Sequence, residues 1–388
     1  MQLLLQSLND EREAQQALVD EQFCHLAFLE EKGAVYTVGR NDLGQCGVGI
    51  DTMKKGDKGL WVFTIIPMTR GLGVEYVTCG EDCVFAVVPG GGGVDDDDTT
   101  DSKNNHENDT NVKNNGGAVY AWAGVHIGPT GIDPDSEELH VASSNGGQGS
   151  KALHILDTPQ IIPRLVGEQI IQVSVGKNHA CAVSSVGDLF VWGYGKFGAL
   201  GLGKQSLDYC KRPVLLTEFD ENTTSMTKTN REDIRIQHVS CHSCSLTSHG
   251  TLYSWGNALG LGKYGLADVT ATTEHENKSA SSNSERRFVD RPSLVKFPFS
   301  NACITKVSCG SERCLAMSSQ FVFSWGSGDG FRLGHGDRLD RWTPEPIMPL
   351  NPLQVLDISA AMWHSACIVA TPPITDAGHV YTWVSHLL

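Results

Sequence analysis

The feature that most limits what this chain can fold into is a short aromatic motif that returns along its length. "AVYTVG" begins at Ala34, "AVYAWAG" at Ala118, "LFVWGYG" at Leu189, "LYSWGNA" at Leu252, "FVFSWGS" at Phe321 and "HVYTWVS" at His379. A repeat of this kind constrains architecture before local propensity does, because one copy cannot bury its apolar face alone and must stack on its neighbours. A second block recurs ahead of the motif: "YVTCG" at Tyr76, "QVSVG" at Gln172 and "KVSCG" at Lys306. Shortly after each of these glycines a small or polar residue (Cys83, His179, Cys314) opens an apolar run. Glycine-rich tails follow several motifs, as in "GRNDLGQCGVG" at Gly39, "GYGKFGALGLG" at Gly193 and "GSGDGFRLGHG" at Gly326. Pro213, Pro292 and Pro344 then open the next unit.

Each unit therefore reads as three strands joined by turns, a glycine-rich loop, and a further strand. The alternation of Val, Phe, Tyr, Trp and Ser fits short, half-buried antiparallel strands. A four-stranded sheet of this size cannot cover both of its faces, whereas copies set side by side cover each other, which is a β-propeller. The expected fold class is all-β, with about six four-stranded blades. Trp192, Trp255, Trp325 and Trp383 are then packing residues between blades, spaced by 63, 70 and 58 residues. Those spacings exceed a compact unit of roughly fifty residues, and polar loops hold the excess. The glycines read as positions of positive φ or close backbone approach. A phosphate cradle would instead lead through glycines into a helix N-terminus carrying Lys-Ser/Thr.

The block "VSVGKNHACAVSSVGDLFVWGYGKFGALGLG" resembles the regulator of chromosome condensation repeat, whose family folds as a propeller, typically of seven blades. Trp-Gly after the aromatic strand and the "LGLG" or "LGHG" ending carry that likeness. The resemblance covers the chain apart from its first twenty residues and the long loops. The first copy starts mid-unit at "QFCHLAFLEEKGAVYTVG", and the sixth ends without a glycine-rich tail. The fourth, "HVSCHSCSLTSHGTLYSWG", has no Gly-x-x before His242, which predicts a tighter turn. About five and a half units stand against the usual seven, so the ring is expected to be incomplete. "FSWGSGDGFRLGHGDRLDRWTPEPI" is most similar to units of the HECT-type ubiquitin ligases. That resemblance implies a protein-interaction scaffold in a ubiquitin-ligase or trafficking setting. The alternative it implies is guanine-nucleotide exchange on a Ran- or Rab-type small GTPase, the activity of the founding nuclear member.

Charge narrows the partners. There are 45 acidic and 30 basic residues, a net −15, with no basic stripe of the kind that tracks phosphates. Nucleic acid is not an expected partner, and no apolar run is long enough to predict membrane insertion. The start, "MQLLLQSLNDEREAQQ", lacks the cationic opening of a secretory signal. Twelve cysteines spread over 388 residues, mostly inside apolar runs, read as small buried hydrophobes in a reducing compartment. A cytoplasmic location is expected, with the nucleus as the other choice. Residues 1–20 read as a short helical or disordered segment, with Asn9 or Asp10 as a helix cap, ahead of a repeat domain over 21–388. The stretch 90–117 holds seven acids and two lysines and reads as a disordered acidic insertion. It lacks the spacing and closing Glu of a calcium loop. Polar stretches near 131–149, 220–233 and 271–287 read as surface loops.

No catalytic residue, cofactor-binding residue or metal ligand is expected, and the chain does not read as an enzyme. His25, His179, His242 and His364 each precede an apolar strand, and recurrence at one slot marks a scaffold element rather than a catalyst. Cys241 and Cys244 have C-x-x-C spacing, yet no partner pair follows at zinc-site spacing, and the two would rarely converge from one strand. Glycine-elbow, HExxH and phosphate-loop patterns are absent. Partner-binding residues cannot be assigned from the sequence.

Overall fold

The computed structural model describes residues 25–30, 32–52, 59–80, 83–90, 117–123, 130–132, 156–176, 178–195, 198–203, 209–217, 234–240, 244–257, 288–299, 302–310, 312–360, 364–371 and 374–384. The N-terminal segment 1–20, nearly all of the acidic insertion, most of the polar stretches near 131–149, 220–233 and 271–287, Cys241 and His242 lie outside them. The chain forms two compact units, Met1–Gln169 and Ile170–Leu388.

The first unit holds two sheets. One comprises β1 (His25–Leu29), β2 (Val35–Arg40) and β3 (Gly59–Ile65); the other comprises β4 (Tyr76–Cys79), β5 (Cys83–Val88), β6 (Ala118–Ala123) and β7 (Gln160–Ile161). The second unit holds four. They are β8 (Ile170–Val175) to β11 (Tyr209–Leu215) through β9 (His179–Ser184) and β10 (Leu189–Tyr194); then β12 (Ile236–Ser240), β13 (Cys244–Thr247), β14 (Leu252–Asn257) and β15 (Phe288–Leu294). Next come β16 (Ile304–Cys309), β17 (Arg313–Ser318), β18 (Val322–Gly326) and β19 (Arg341–Pro346), and last β20 (Val355–Ala360), β21 (His364–Thr371) and β22 (Ile374–Val384). Every pairing is antiparallel between chain neighbours, as short turns require.

The fold is all-β, built of propeller blades as the repeat implied, with one refinement. Four sheets have four strands, while the first and last have three among the described residues. Among the described residues, the first sheet begins at the second-strand position, with β1, and the last ends at the third, with β22.

Register defines equivalent slots. His25 pairs with Gly39, Cys83 with Ala123, His179 with Gly193, Arg313 with Gly326 and His364 with Val384. Arg313, not Cys314, therefore shares the slot of Cys83 and His179. The Gly310 N–H bonded to Arg313 O (2.9 Å) sets that turn, matching Gly176 to His179 and Gly80 to Cys83. In the fourth sheet Ser240 pairs with Cys244, whereas Ser308 pairs with Leu315, so the fourth turn is three residues shorter, as expected. The ladder slips just before Gly39, Gly193, Gly256 and Gly326, making a recurrent bulge at the motif's glycine.

Trp122, Trp192, Trp255 and Trp325 are the largest fully buried side chains. Within the first unit the Trp122 indole donates to Gln45 O (3.0 Å) in the loop of the preceding sheet. Within the second, Trp255 donates to Ala199 O (3.1 Å) and Trp383 to Arg332 O (2.9 Å) in the same way. A tail glycine lies under each ring. A Cβ at Gly47 would sit 2.7 Å from Trp122 Nε1, one at Gly201 3.0 Å from Trp255 Cδ1, and one at Gly334 3.2 Å from Trp383 Nε1. Tryptophan and glycine tail thus form one latch from sheet to sheet.

Candidate functional site

The loop that follows β18 is held by its own charges. Ser324 Oγ donates to Leu333 O (2.7 Å), just as Thr37 Oγ1 donates to Cys46 O (2.8 Å) in the first sheet. The Asp340 carboxylate accepts from Gly328 N–H (2.9 Å), and Asp337 accepts from Leu339 N–H (2.9 Å). Arg341 binds Asp337 (2.8 Å), Glu345 (2.7 Å) and Leu339 O (2.9 Å). The Arg341 hydrogen bond holds the Asp337 carboxyl below its usual range, and the same pair raises Arg341. Arg332 is buried, with Nε on Asp329 O (2.6 Å) and its two amino groups on Glu312 and Asp329 (3.3 Å each).

This pinned loop and the start of β19 turn apolar groups outward. Trp342 is 58% exposed and Leu339 66% exposed, with Phe331 nearby in sequence and Arg338 stacked over its ring at 4.8 Å. Phe331 has φ +61°, an uncommon conformation for a bulky side chain. Trp and Arg on a rigid support are the residue types that carry binding energy in protein interfaces. The repeat motif does not include Trp342, so the sequence offers no periodic signal for it.

A second feature lies inside the molecule. Cys244, Cys309 and Cys314 are buried (0%, 7% and 6% exposed), and their sulfurs all lie within 4.8 Å of one another. Cys309 Sγ donates to Cys314 Sγ at 2.9 Å, and Cys244 Sγ lies 3.7 Å from Cys314 Sγ. Cys309 and Cys314 face each other across β16 and β17, one step from the Gly310–Arg313 bond, in a non-hydrogen-bonded pair where side chains come closest. Hydrogen bonding to Cys309, then to Cys314, and burial hold the Cys244 thiol well above its usual range. For Cys314 the bond with Cys244 pulls downward, and contact with Cys309 plus burial outweighs it. Cys244 and Cys314 are thus neutral thiols, unsuited to act as nucleophiles. The C-x-x-C spacing of Cys241 and Cys244 has no partner pair at zinc-site spacing in the sequence. The structure instead brings Cys244 to residues 65 and 70 positions away on the next sheet, a contact visible in the sequence only by comparing slots across units.

The histidines stay apart. His25, His179 and His364 open β1, β9 and β21 as the repeat predicted. His179 is buried and His364 exposed. In the shared slot Arg313 reaches the next sheet, with Nε on Ser365 Oγ (2.9 Å) and Nη2 on His364 O (2.5 Å), so this slot joins sheets. No helix among the described residues is long and apolar enough to cross a membrane.

The chain matches the regulator of chromosome condensation (RCC1) repeat over residues 186–244 and 321–368, and a second model of the same repeat over 170–199. It is 28% identical over 229 residues to the RCC1 domain-containing protein RUG3, mitochondrial, of Arabidopsis thaliana, covering 58% of this chain and 44% of that one. It is 27% identical over 237 residues to the E3 ubiquitin-protein ligase HERC2 of Homo sapiens, covering 58% of this chain and 4% of that one. To the secretion-regulating guanine nucleotide exchange factor of Mus musculus it is 23% identical over 349 residues, covering 89% and 62%. The chain thus spans less than two thirds of each of these relatives. Prp20p of Saccharomyces cerevisiae, solved in a study of its binding to Gsp1p and histones, shares the fold at TM-score 0.58 and 17% identity, covering 93% of this chain and 70% of that one. Over residues 170–244 and 321–368, about a third of its length, the chain is similar to the regulator of chromosome condensation repeat.

Proposed function

We propose that the chain is a non-catalytic scaffold that binds a protein partner through the loop after β18, in the cytoplasm and in the setting of ubiquitin transfer. One observation carries this reading: the loop before β19, fixed by Asp337 and Asp340 and by Arg341 at the start of that strand, holds Leu339 and the β19 residue Trp342 out toward solvent. The likeness to the HERC2 ligase supports the setting. A partner captured by the intact chain should be lost when Trp342→Ala and Leu339→Ala are combined. A central aromatic anchor contributes about 2 kcal/mol or more, roughly thirtyfold in affinity. Photo-crosslinking from position 342 identifies the partner directly. Capture unchanged by the double substitution would remove this loop as the binding face.

The second reading is nucleotide exchange on a small GTPase, supported by the likeness to the secretion-regulating exchange factor. Its test is release of fluorescent nucleotide from a panel of Ran- and Rab-type GTPases. Acceleration of one of them by the purified chain would replace the scaffold reading; none is expected.

A further inference from the structure

We propose that Cys244, Cys309 and Cys314 form a binding site for one soft monovalent metal ion of the copper(I) class. Geometry is the first support. An ion held in a plane by three sulfurs at about 2.3 Å needs sulfurs about 4 Å apart. Here two separations are 2.9 and 3.7 Å and none exceeds 4.8 Å, so small side-chain rotations reach the triangle.

Ligand chemistry is the second. Sulfur donors select copper(I), zinc and iron–sulfur groups. Structural zinc takes four ligands in a tetrahedron, and among the described residues this cluster offers three. Leu246, Leu252, Val307, Phe323 and Trp325 share its core, leaving a dry site that favours low coordination. Each thiol that binds gives its proton to solvent, and the bound ion replaces the sulfur–sulfur contacts that now join the three.

The third support is that packing alone does not demand cysteine here. One sheet further on, the equivalent slots of Cys244, Cys309 and Cys314 hold Leu315, Ala360 and Ser365. Those residues serve the same junction without sulfur. Cys309 and Cys314 stand at the hairpin end of β16 and β17 and retain slight exposure, while Cys244 has none, so an ion reaches the site from that end.

The test uses the purified full chain with copper(I) alone, without oxygen, in competition with a chromophoric copper(I) chelator. One ion per chain should be retained, and Cys244→Ser, Cys309→Ser and Cys314→Ser should each weaken retention at least tenfold. Cys181→Ser and Cys367→Ser, at buried thiols elsewhere, should leave it unchanged. Copper-edge X-ray absorption on the unaltered chain, which needs no variant to fold, should show three sulfur neighbours and no nitrogen or oxygen. Loss of copper(I) to the chelator overturns the proposal. So does equal weakening by the two control substitutions, or an absorption spectrum with nitrogen or oxygen ligands.

Discussion

His238 shows how much one side chain in a repeated slot can alter. In the preceding sheet the equivalent residue is Gln172, whose amide bonds both Val239 N–H (3.0 Å) and Val239 O (3.1 Å) on β12 of the next sheet. In the following sheet it is Lys306, which pairs with Asp357. His238 makes no such bond through Nδ1, which is buried. Burial lowers its pKa from 6.5 to about 4, the Lys306 charge adds to the drop, and Cys309 and Asp357 oppose it. The unfolded chain binds a proton near 6.5 while the folded chain stays neutral to about 4. Stability is therefore full above the upper value and lost as pH falls toward the lower one, by an amount of order 3 kcal/mol. His238→Gln should copy the Gln172 contact and flatten the urea midpoint between those two pH values. An acid-side loss that persists unchanged in His238→Gln would assign it to other groups.

At the scale of the element, the bulge at the motif's glycine sets a sharp requirement. Gly326 has φ +114°, and a Cβ there would lie 2.4 Å from Glu312 O and 2.6 Å from Arg313 Cα. Gly326→Ala should cost about 3 kcal/mol or more in urea unfolding, combining backbone strain with overlap against main chain. The second sheet carries Ala123 in this slot at φ +62°, so Ala123→Gly should be neutral or stabilising by about 1 kcal/mol. The strands themselves were legible because alternation and the Trp-Gly step repeat in every unit. The slot of His179 follows the same spacing: Cys83, His179 and Arg313 each stand three residues after a glycine, Cys314 stands four after, and the register and the Gly310–Arg313 bond place Arg313 there. The thiol cluster, by contrast, was illegible. Its members meet across two sheets, and no spacing within one unit encodes that contact. Trp342 escaped notice because it lies outside the periodic positions, where sequence pattern carries no information about exposure.

At the scale of the molecule, the fold rests on sheets fastened to their neighbours by a tryptophan lying on a glycine-rich tail. Trp122 and Gly47, Trp255 and Gly201, and Trp383 and Gly334 repeat the same contact, and in each case the indole N–H donates into the tail. For Trp325 the corresponding tail lies outside the described residues. The loop that presents Trp342 is itself one of these tails: its Arg332 carbonyl accepts the Trp383 indole and the Ser365 hydroxyl (3.1 Å), so the binding face is anchored to the next sheet. The most direct test is a double-mutant cycle in urea unfolding on Gly201→Ala and Trp255→Phe. The strain at Gly201 and the contact of the new methyl group with Leu216 Cδ1 (3.0 Å) are common to both backgrounds, whereas the crowding by the indole (3.0 and 3.1 Å) is relieved by Trp255→Phe. Gly201→Ala should therefore cost about 1 kcal/mol less when Trp255→Phe is present, and the same when Trp383→Phe is present instead. Costs that add in full for Trp255→Phe, or couple equally to Trp383→Phe, would contradict the latch.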